Sequence, residues 1–303
     1  MKKFVLKVVL FFVLVVAMDF FFGHVFSFMR THAKGGTTAN CEYIANACKE
    51  DIIILGSSRA KHHYIPQIIQ DTLGLSCYNC GEEGSGIVLA YGRYRQIVER
   101  KTPKLIIYEV TPEYDYYLHD ADSKYLSPLR PYYSQPCIRA LVNDFGGELE
   151  RLRMLSGMYR NNSKLLSYTL DLVKSPSQTN GYSPLSGQLD TVRLCDLKTV
   201  DKGELFDEHK YRYLEELLKE AKLSKIPILM VVSPIYSFSQ NKKDYGPARY
   251  LCDKYNIPFI DLRNLSELSE NPFFFQDVEH LNDNGARAYT MFFAQQLKQW
   301  SLR

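Results

Sequence analysis

Five short strand-like runs, most of them apolar and β-branched, recur along the chain with helical segments between them. Asp51-Ile-Ile-Ile-Leu55 ends at Gly56, Ser76 to Asn79 ends at Gly81, and Leu105-Ile-Ile-Tyr-Glu-Val110 is stopped by Thr111-Pro112. Pro227 to Val232 and Ile257 to Asp261 complete the set. Such runs lack the strict alternation of a half-solvated antiparallel strand and demand burial on both faces. The intervening segments carry helical periodicity: Ile65 to Leu73, opened by Pro66, then Ile87 to Arg100, Glu204 to Leu223, Tyr245 to Tyr255 and Asn282 to Trp300. Strand and helix alternating in this way require a parallel sheet covered on both faces.

The fold class expected is therefore α/β, a flavodoxin-like three-layer sandwich with a central parallel sheet of about five strands. In such sheets ligands bind outside the carboxyl ends of the strands, so the residues after each strand are the ones to inspect. Glu113 to Asp201 breaks the alternation. It is rich in Tyr, Ser, Asn and Leu, with helical pieces at Cys137 to Asn143 and Leu165 to Val173, and reads as an insertion at about 113–203. The expected layout is a membrane segment at 1–30, a polar linker at 31–50 and one α/β domain over 51–303.

Composition excludes several classes. Of 303 residues 46% are hydrophobic, which argues against disorder and against a multi-span membrane protein. The 37 Lys+Arg nearly balance 34 Asp+Glu, so no nucleic acid partner is expected, because neutralising phosphates wants a strongly basic face. The aromatic class is lopsided, with 22 Tyr against a single Trp, and tyrosine suits wet, partly polar surfaces such as sugar-binding clefts.

The first thirty residues set the compartment. Lys2, Lys3 and Lys7 precede an apolar stretch from Val8 to Met18 that resumes after Asp19 and runs to Phe28. A spanning helix needs about 20 mostly apolar residues, and Phe4 to Phe28 supplies them if Asp19 sits near an interface. A cleaved signal peptide is the alternative, but no A-x-A-like site follows. The early lysines put the N-terminus on the cytoplasmic side. The expectation is a single-pass anchor in the inner membrane with the remaining chain periplasmic or extracellular. Among the seven cysteines, Cys41 and Cys48 have the spacing for a small disulfide loop. Cys77 and Cys80 form a C-x-x-C pair without a matching second pair, so packing is the expected role.

Two segments carry chemistry. Gly56-Ser57-Ser58-Arg59 follows the first strand, and Asp277-Val278-Glu279-His280-Leu281-Asn282 precedes the last helix. A serine at a strand-to-helix turn can expose its hydroxyl beside backbone N–H groups. A carboxylate three residues before a histidine can orient the imidazole and stabilise its cation. His63 is expected at the surface or a helix start, and Ser233 with Tyr236 at a cleft rim.

This pair, with Ser early and Asp-His late, resembles the SGNH/GDSL hydrolase superfamily, over Asp51 to about Trp300 without the insertion. Its Gly-Ser-Ser form is similar to a membrane-anchored branch that includes proteins of alginate O-acetylation and teichoic acid D-alanylation. The resemblance implies Ser58 as nucleophile, His280 as general base and Asp277 as its orienter. It implies Gly81 as a backbone oxyanion donor and needs no metal or organic cofactor. The family's third block normally holds an Asn. Here the corresponding region is Val110-Thr111-Pro112-Glu113-Tyr114, with no Asn: either Glu113 occupies the Asn place, where its charge would repel a developing oxyanion, or it points outward and Thr111 is the nearest candidate donor. The implied activity is a serine esterase or O-acyltransferase acting on an ester-linked acyl group, acetyl above all, of a cell-envelope polysaccharide. The alternative is a non-catalytic binding or scaffold protein of a polysaccharide assembly.

Overall fold

The computed structural model describes residues 1–118, 125–191, 205–236 and 243–301. Cys195 and the remainder of the expected insertion beyond residue 191 lie outside the described residues. In chain order the elements are α1 (Lys2–Thr31), α2 (Gly36–Asn46), β1 (Ile52–Gly56), α3 (Ser58–His63), α4 (Pro66–Leu73) and β2 (Cys77–Asn79). There follow α5 (Ile87–Val98), β3 (Leu105–Glu109), α6 (Pro112–Asp115), α7 (Pro136–Arg153), α8 (Gly157–Arg160) and α9 (Leu165–Val173). The last are α10 (Glu208–Leu223), β4 (Ile228–Val232), α11 (Gly246–Tyr255), β5 (Phe259–Asp261), α12 (Ser266–Ser269) and α13 (Asp283–Ser301). They divide into two compact units, residues 1–47 with 126–177, and residues 48–125 with 178–303.

The second unit is the α/β sandwich. Its strands pair in the order β2-β1-β3-β4-β5, all parallel, with Ile54 opposite Asn79 and Ile107, and Glu109 opposite Val231. The chain leaves β1 toward β2 and then crosses back to β3. The switch point of the sheet therefore falls between β1 and β3, where this order opens a crevice. Both faces are covered, as the uninterrupted apolar runs demand. Ile52, Ile54, Ile107 and Val231 pack under α4 and α13, whose Ile69, Tyr289, Phe293 and Leu297 fill that layer. Residues of alternate parity point to the opposite face, where α5 and α10 meet with the rings of Tyr91 and Tyr213 5.3 Å apart.

Capping decides where the helices start. α10 begins at Glu208 because the Asp207 carboxylate accepts from His209 N and Lys210 N at 2.9 and 3.1 Å. α13 starts after Asn282, whose Oδ1 accepts from Gly285 N at 3.0 Å. The two thiols of the C-x-x-C pair are buried beside β2, in keeping with a packing role. Cys48 is a free, buried thiol hydrogen-bonded with Cys80, so the small loop between Cys41 and Cys48 is not closed.

In the first unit α1 is 30 residues long, roughly 45 Å at 1.5 Å per residue. None of its residues is buried, and by length and composition it can cross a bilayer. The segment read as a linker carries α2. Asp171 of α9 holds its start, accepting from Thr38 N through the carboxylate at 3.0 Å and from Lys34 N through its carbonyl at 2.9 Å. The Tyr- and Leu-rich segment splits between the units: 126–177 clusters with 1–47, whereas 178–191 rejoins the sandwich, where Asn180 O accepts from Asn79 N.

Phe293 is completely buried against Tyr64 and Tyr289. Phe293→Ala should cost about 3–5 kcal/mol of stability, measured by denaturant unfolding of the full chain. A loss under 1 kcal/mol would mean that the α13 layer is not the core of the sandwich.

Candidate active site

The site is built at the carboxyl ends of β1, β2, β3 and β4. β1 ends at Gly56, whose φ of +137° lies where side chains are strained, and a Cβ there would stand 2.7 Å from Glu109 O. That glycine lets the chain turn abruptly into α3. Ser57 precedes the helix and is fully buried, with no hydrogen-bond partner for its hydroxyl among the described residues. Ser58 is the first helical residue, so its N–H has no intrahelical acceptor.

The loop before α13 delivers the other two groups. His280 Nε2 lies 2.8 Å from Ser58 Oγ, and its Nδ1 lies 2.9 Å from both oxygens of Asp277. Asp277 Oδ1 also accepts from the backbone N–H groups of Glu279 and His280, at 2.8 and 2.9 Å. Burial pushes the Asp277 carboxyl up, but the His280 hydrogen bond and charge and these two N–H groups outweigh it and hold it below its ordinary value. A carboxylate held ionised against Nδ1–H leaves Nε2 as the acceptor for the Ser58 hydroxyl. The structure thus brings Ser58, His280 and Asp277 together in the order that moves a proton off a hydroxyl.

Behind this chain lies a second one, built from residues whose expected places were at the surface and the cleft rim. His63 is not a surface residue: it is fully buried in the last turn of α3 and accepts from Leu281 N through Nε2 at 3.0 Å. Its Nδ1 donates to Ser233 Oγ at 2.7 Å, and Ser233 donates to Glu109 Oε1 at 2.8 Å. Burial, with the charges of His280 and Arg59, keeps the His63 ring neutral, well below its usual value. Ser233 is likewise no rim residue but fully buried, because a hydroxyl at the end of β4 is needed by Glu109. Tyr236 packs its ring against Phe275. Glu109 also takes Tyr64 Oη at 2.5 Å and the Arg59 guanidinium, Nε to Oε1 3.3 Å. One signal was present in the sequence: a glutamate at the end of an otherwise apolar buried strand must have partners.

The remaining expected residues are placed less simply. Gly81 lies against α3, where a Cβ would fall 2.5 Å from Lys61 N, so only glycine fits. Its N–H, expected to face a developing oxyanion, donates to Asn79 Oδ1 at 2.9 Å. Asn79 in turn donates to the carbonyls of Ala60 and Tyr64, tying β2 to α3. Thr111 is buried, its hydroxyl without a hydrogen-bond partner among the described residues, and its N–H donates to Asp115 Oδ2 at 2.7 Å. Burial raises Asp115 to about 7.

Glu113 is not a bare charge. Its Oε1 accepts from Lys243 Nζ at 2.6 Å, and Lys243 also pairs with Glu279 at 2.9 Å, the residue preceding His280. Burial opposes ionisation of Glu113, but the Lys243 ammonium and the Arg59 guanidinium hold it below its ordinary value. Lys243 carried no signal in the sequence, since it sits in a polar stretch after β4 with no motif around it. Among the described residues no group of three or more His, Cys, Asp or Glu is placed to hold a metal ion.

No family model and no curated protein matches the chain. Among solved structures it is similar to an acetyl xylan esterase, at 13% identity and a TM-score of 0.38, covering 83% of this chain and 98% of that one. It is also similar to a gut microbial diltiazem-metabolizing enzyme, at 13% identity and a TM-score of 0.39, covering 82% of this chain. The chain spans about half the length of that second protein, 47%. At such distances the functional reading rests on the geometry of the site itself.

The pairing of Glu113 has a sign in pH. A glutamate held below its unfolded value, about 4.3, adds stability above that pH and loses it as pH falls through the folded value. Asp277 acts in the same direction. Burial raises Glu109, and its contribution runs oppositely, lost as pH rises. Melting temperatures from pH 7 down to 3 should therefore fall less steeply below about pH 4.3 in Glu113→Gln than in the parent. Equal acid slopes would show that the Lys243 pairing contributes nothing.

Proposed function

We propose that the protein is a membrane-anchored serine esterase or O-acyltransferase of the SGNH type. Its substrate in this reading is an ester-linked acyl group, acetyl above all, on a cell-envelope polysaccharide. The observation that carries the proposal is the hydrogen-bonded series Ser58–His280–Asp277, contributed by segments 222 positions apart. Ser58 Oγ attacks the acyl carbonyl as His280 Nε2 takes its proton, and the Asp277 carboxylate stabilises the imidazolium. Collapse of the tetrahedral intermediate returns that proton to the departing alcohol and leaves an acyl-serine. Water or a second hydroxyl, activated by the same imidazole, then releases the acyl group. The N–H of Ser58, which as the first of α3 has no intrahelical acceptor, is the backbone donor proposed for the oxyanion. The anchor motivates the envelope substrate: α1, with its leading lysines, puts the sandwich on the non-cytoplasmic side of the inner membrane in this reading.

The second reading, a non-catalytic scaffold of a polysaccharide assembly, draws on the occupied N–H of Gly81 and on Glu113 standing where the family has Asn. Loss of one oxyanion donor costs on the order of 10²–10³ in rate. Against it stands the pairing of the Glu113 carboxylate with Lys243, which lessens the repulsion that a bare carboxylate would impose.

A fluorophosphonate probe separates the two. It should label the full-length protein and Ser57→Ala but not Ser58→Ala, and Asp277→Asn should lower turnover of an activated acetyl ester by about 10³- to 10⁴-fold. No labelling and no turnover in the parent would favour the scaffold. Full activity in Ser58→Ala would end the assignment of the nucleophile.

His63 gives a further expectation. His63→Phe removes the acceptor for Leu281 N and should lower kcat more than it changes KM, with partial rescue in His63→Gln. Unchanged kcat in a folded His63→Phe would show that the His280 loop holds its place without it.

A further inference from the structure

In the unit formed by 1–47 and 126–177, α9 is turned inside out. Its buried positions are Tyr168 and Asp171, whereas Leu165, Leu166, Leu170 and Val173 are 56–83% exposed. A helix facing water would do the reverse, because its leucines would seek the core and its aspartate the solvent. Asp171 is buried productively, taking the N–H groups at the start of α2, so the orientation of α9 is set by hydrogen bonds. The end of α7 repeats the pattern. Glu150 is buried between Arg130 and Tyr159, at 2.6 and 2.7 Å, while Leu149, Leu152 and Leu155 are exposed. An apolar face of this extent on a soluble protein marks an interaction surface.

The contacts with α1 say what lies against it. Asp19, in the middle of the apolar helix, accepts from Ser156 Oγ, Gly157 N and Met158 N at 2.5, 2.8 and 3.0 Å. One turn on, Gly23 meets the backbone of Gly157, and a further turn on the ring of Phe26 stands 6.3 Å from that of Tyr168 in α9. α8 therefore lies beside residues 19–23 of α1, within the apolar stretch that reaches Phe28, and α9 passes from the level of Phe26 to residues 34–38, where Asp171 holds the start of α2. A carboxylate in that stretch is costly in lipid unless bonded to donors, and α8 supplies them. The leucines of α7 and α9 lie in the unit that packs along the second half of α1, where the surrounding solvent would be acyl chains and not water. Lys164 and Lys174 bracket α9, and their long stems can carry the ammonium groups to the headgroup level.

We infer that the exposed apolar face of α7 and α9 is a collar embedded in the non-cytoplasmic leaflet beside α1, and that its occupant is lipid acyl chain. The inference rests on the reading of α1 as a bilayer-spanning helix. The protein would then hold its membrane by a span and a monotopic surface together.

Quenching by acyl-brominated lipid tests it. Single-tryptophan versions of the full chain, in a Trp300→Phe background, carry Leu152→Trp, Leu166→Trp or Leu170→Trp. Leu10→Trp in α1 serves as the spanning control, and Leu223→Trp, an exposed leucine of α10, as the aqueous one. In brominated phosphatidylcholine vesicles the three collar positions should be quenched several-fold more than Leu223→Trp and nearly as much as Leu10→Trp. Quenching at Leu10→Trp with the three collar positions at the Leu223→Trp level would overturn the collar and leave the anchor standing. An unquenched Leu10→Trp would remove the spanning helix, and the collar with it.

Discussion

The carboxylate of Glu109, buried at the end of β3, is the group on which the geometry of the sandwich turns. An isolated charge in that position would be too costly to keep. It is held by the Arg59 guanidinium from α3, the Tyr64 hydroxyl, and both the N–H and the hydroxyl of Ser233 at the end of β4. These partners come from α3 with its C-cap residue and from the end of β4, so satisfying one charge at the end of β3 fixes the mutual positions of three elements. Removing one partner of such a buried pair commonly costs about 3–5 kcal/mol. From Ser233 the chain of donors continues through His63 to Leu281 N, the residue after His280. Arg59 and His63 lie on the short helix that begins with Ser58. The hydroxyl and the imidazole that it meets are thus tied to one internal carboxylate from two directions.

A second set of charges works nearer the opening of the site. Lys243 bridges Glu113 from the segment after β3 and Glu279 from the loop before α13. Burial depresses an ammonium, but the two carboxylates outweigh it and hold Lys243 above its ordinary value. The cluster carries two negative groups against one lysine, with the Arg59 guanidinium behind it. Compensation of this kind lets the Glu113 carboxylate stay ionised although it is largely buried.

The two units distribute their polar and apolar groups differently. In the sandwich the strands bury apolar side chains on both faces, and the polar groups inside it are hydrogen-bonded in chains. In the unit of α1, α2 and α7–α9 the polar groups Asp19, Glu150 and Asp171 are the ones that find internal partners, while leucines point outward. A hydrophobic-inside rule describes the first arrangement and, in the second, holds for Ile138, Leu141 and Met154 but not for the outward leucines of α9 and the end of α7. Lipid around α1 would account for both with the same physics, since each surface then matches its surroundings.

The alternation of apolar β-branched runs with helical periodicity determined the parallel α/β sheet, because a strand buried on both faces must be apolar throughout. Ser58, Asp277 and His280 were legible for a local reason. Each lies at a strand end or before a helix, where a short motif fixes its own backbone, as Gly56 and the capping Asn282 show. The partners of Glu109, the bridge made by Lys243 and the hold of Asn79 on α3 were not legible. They join residues such as Glu109 and Ser233, or His63 and Leu281, that stand 124 and 218 positions apart. No local pattern encodes such a pair, since any polar residue at those places reads the same until the sheet brings the strand ends together. The outward leucines of α9 were read as helical from their spacing, but which face they turned to was decided only by the hydrogen bonds of Asp171 in the folded unit.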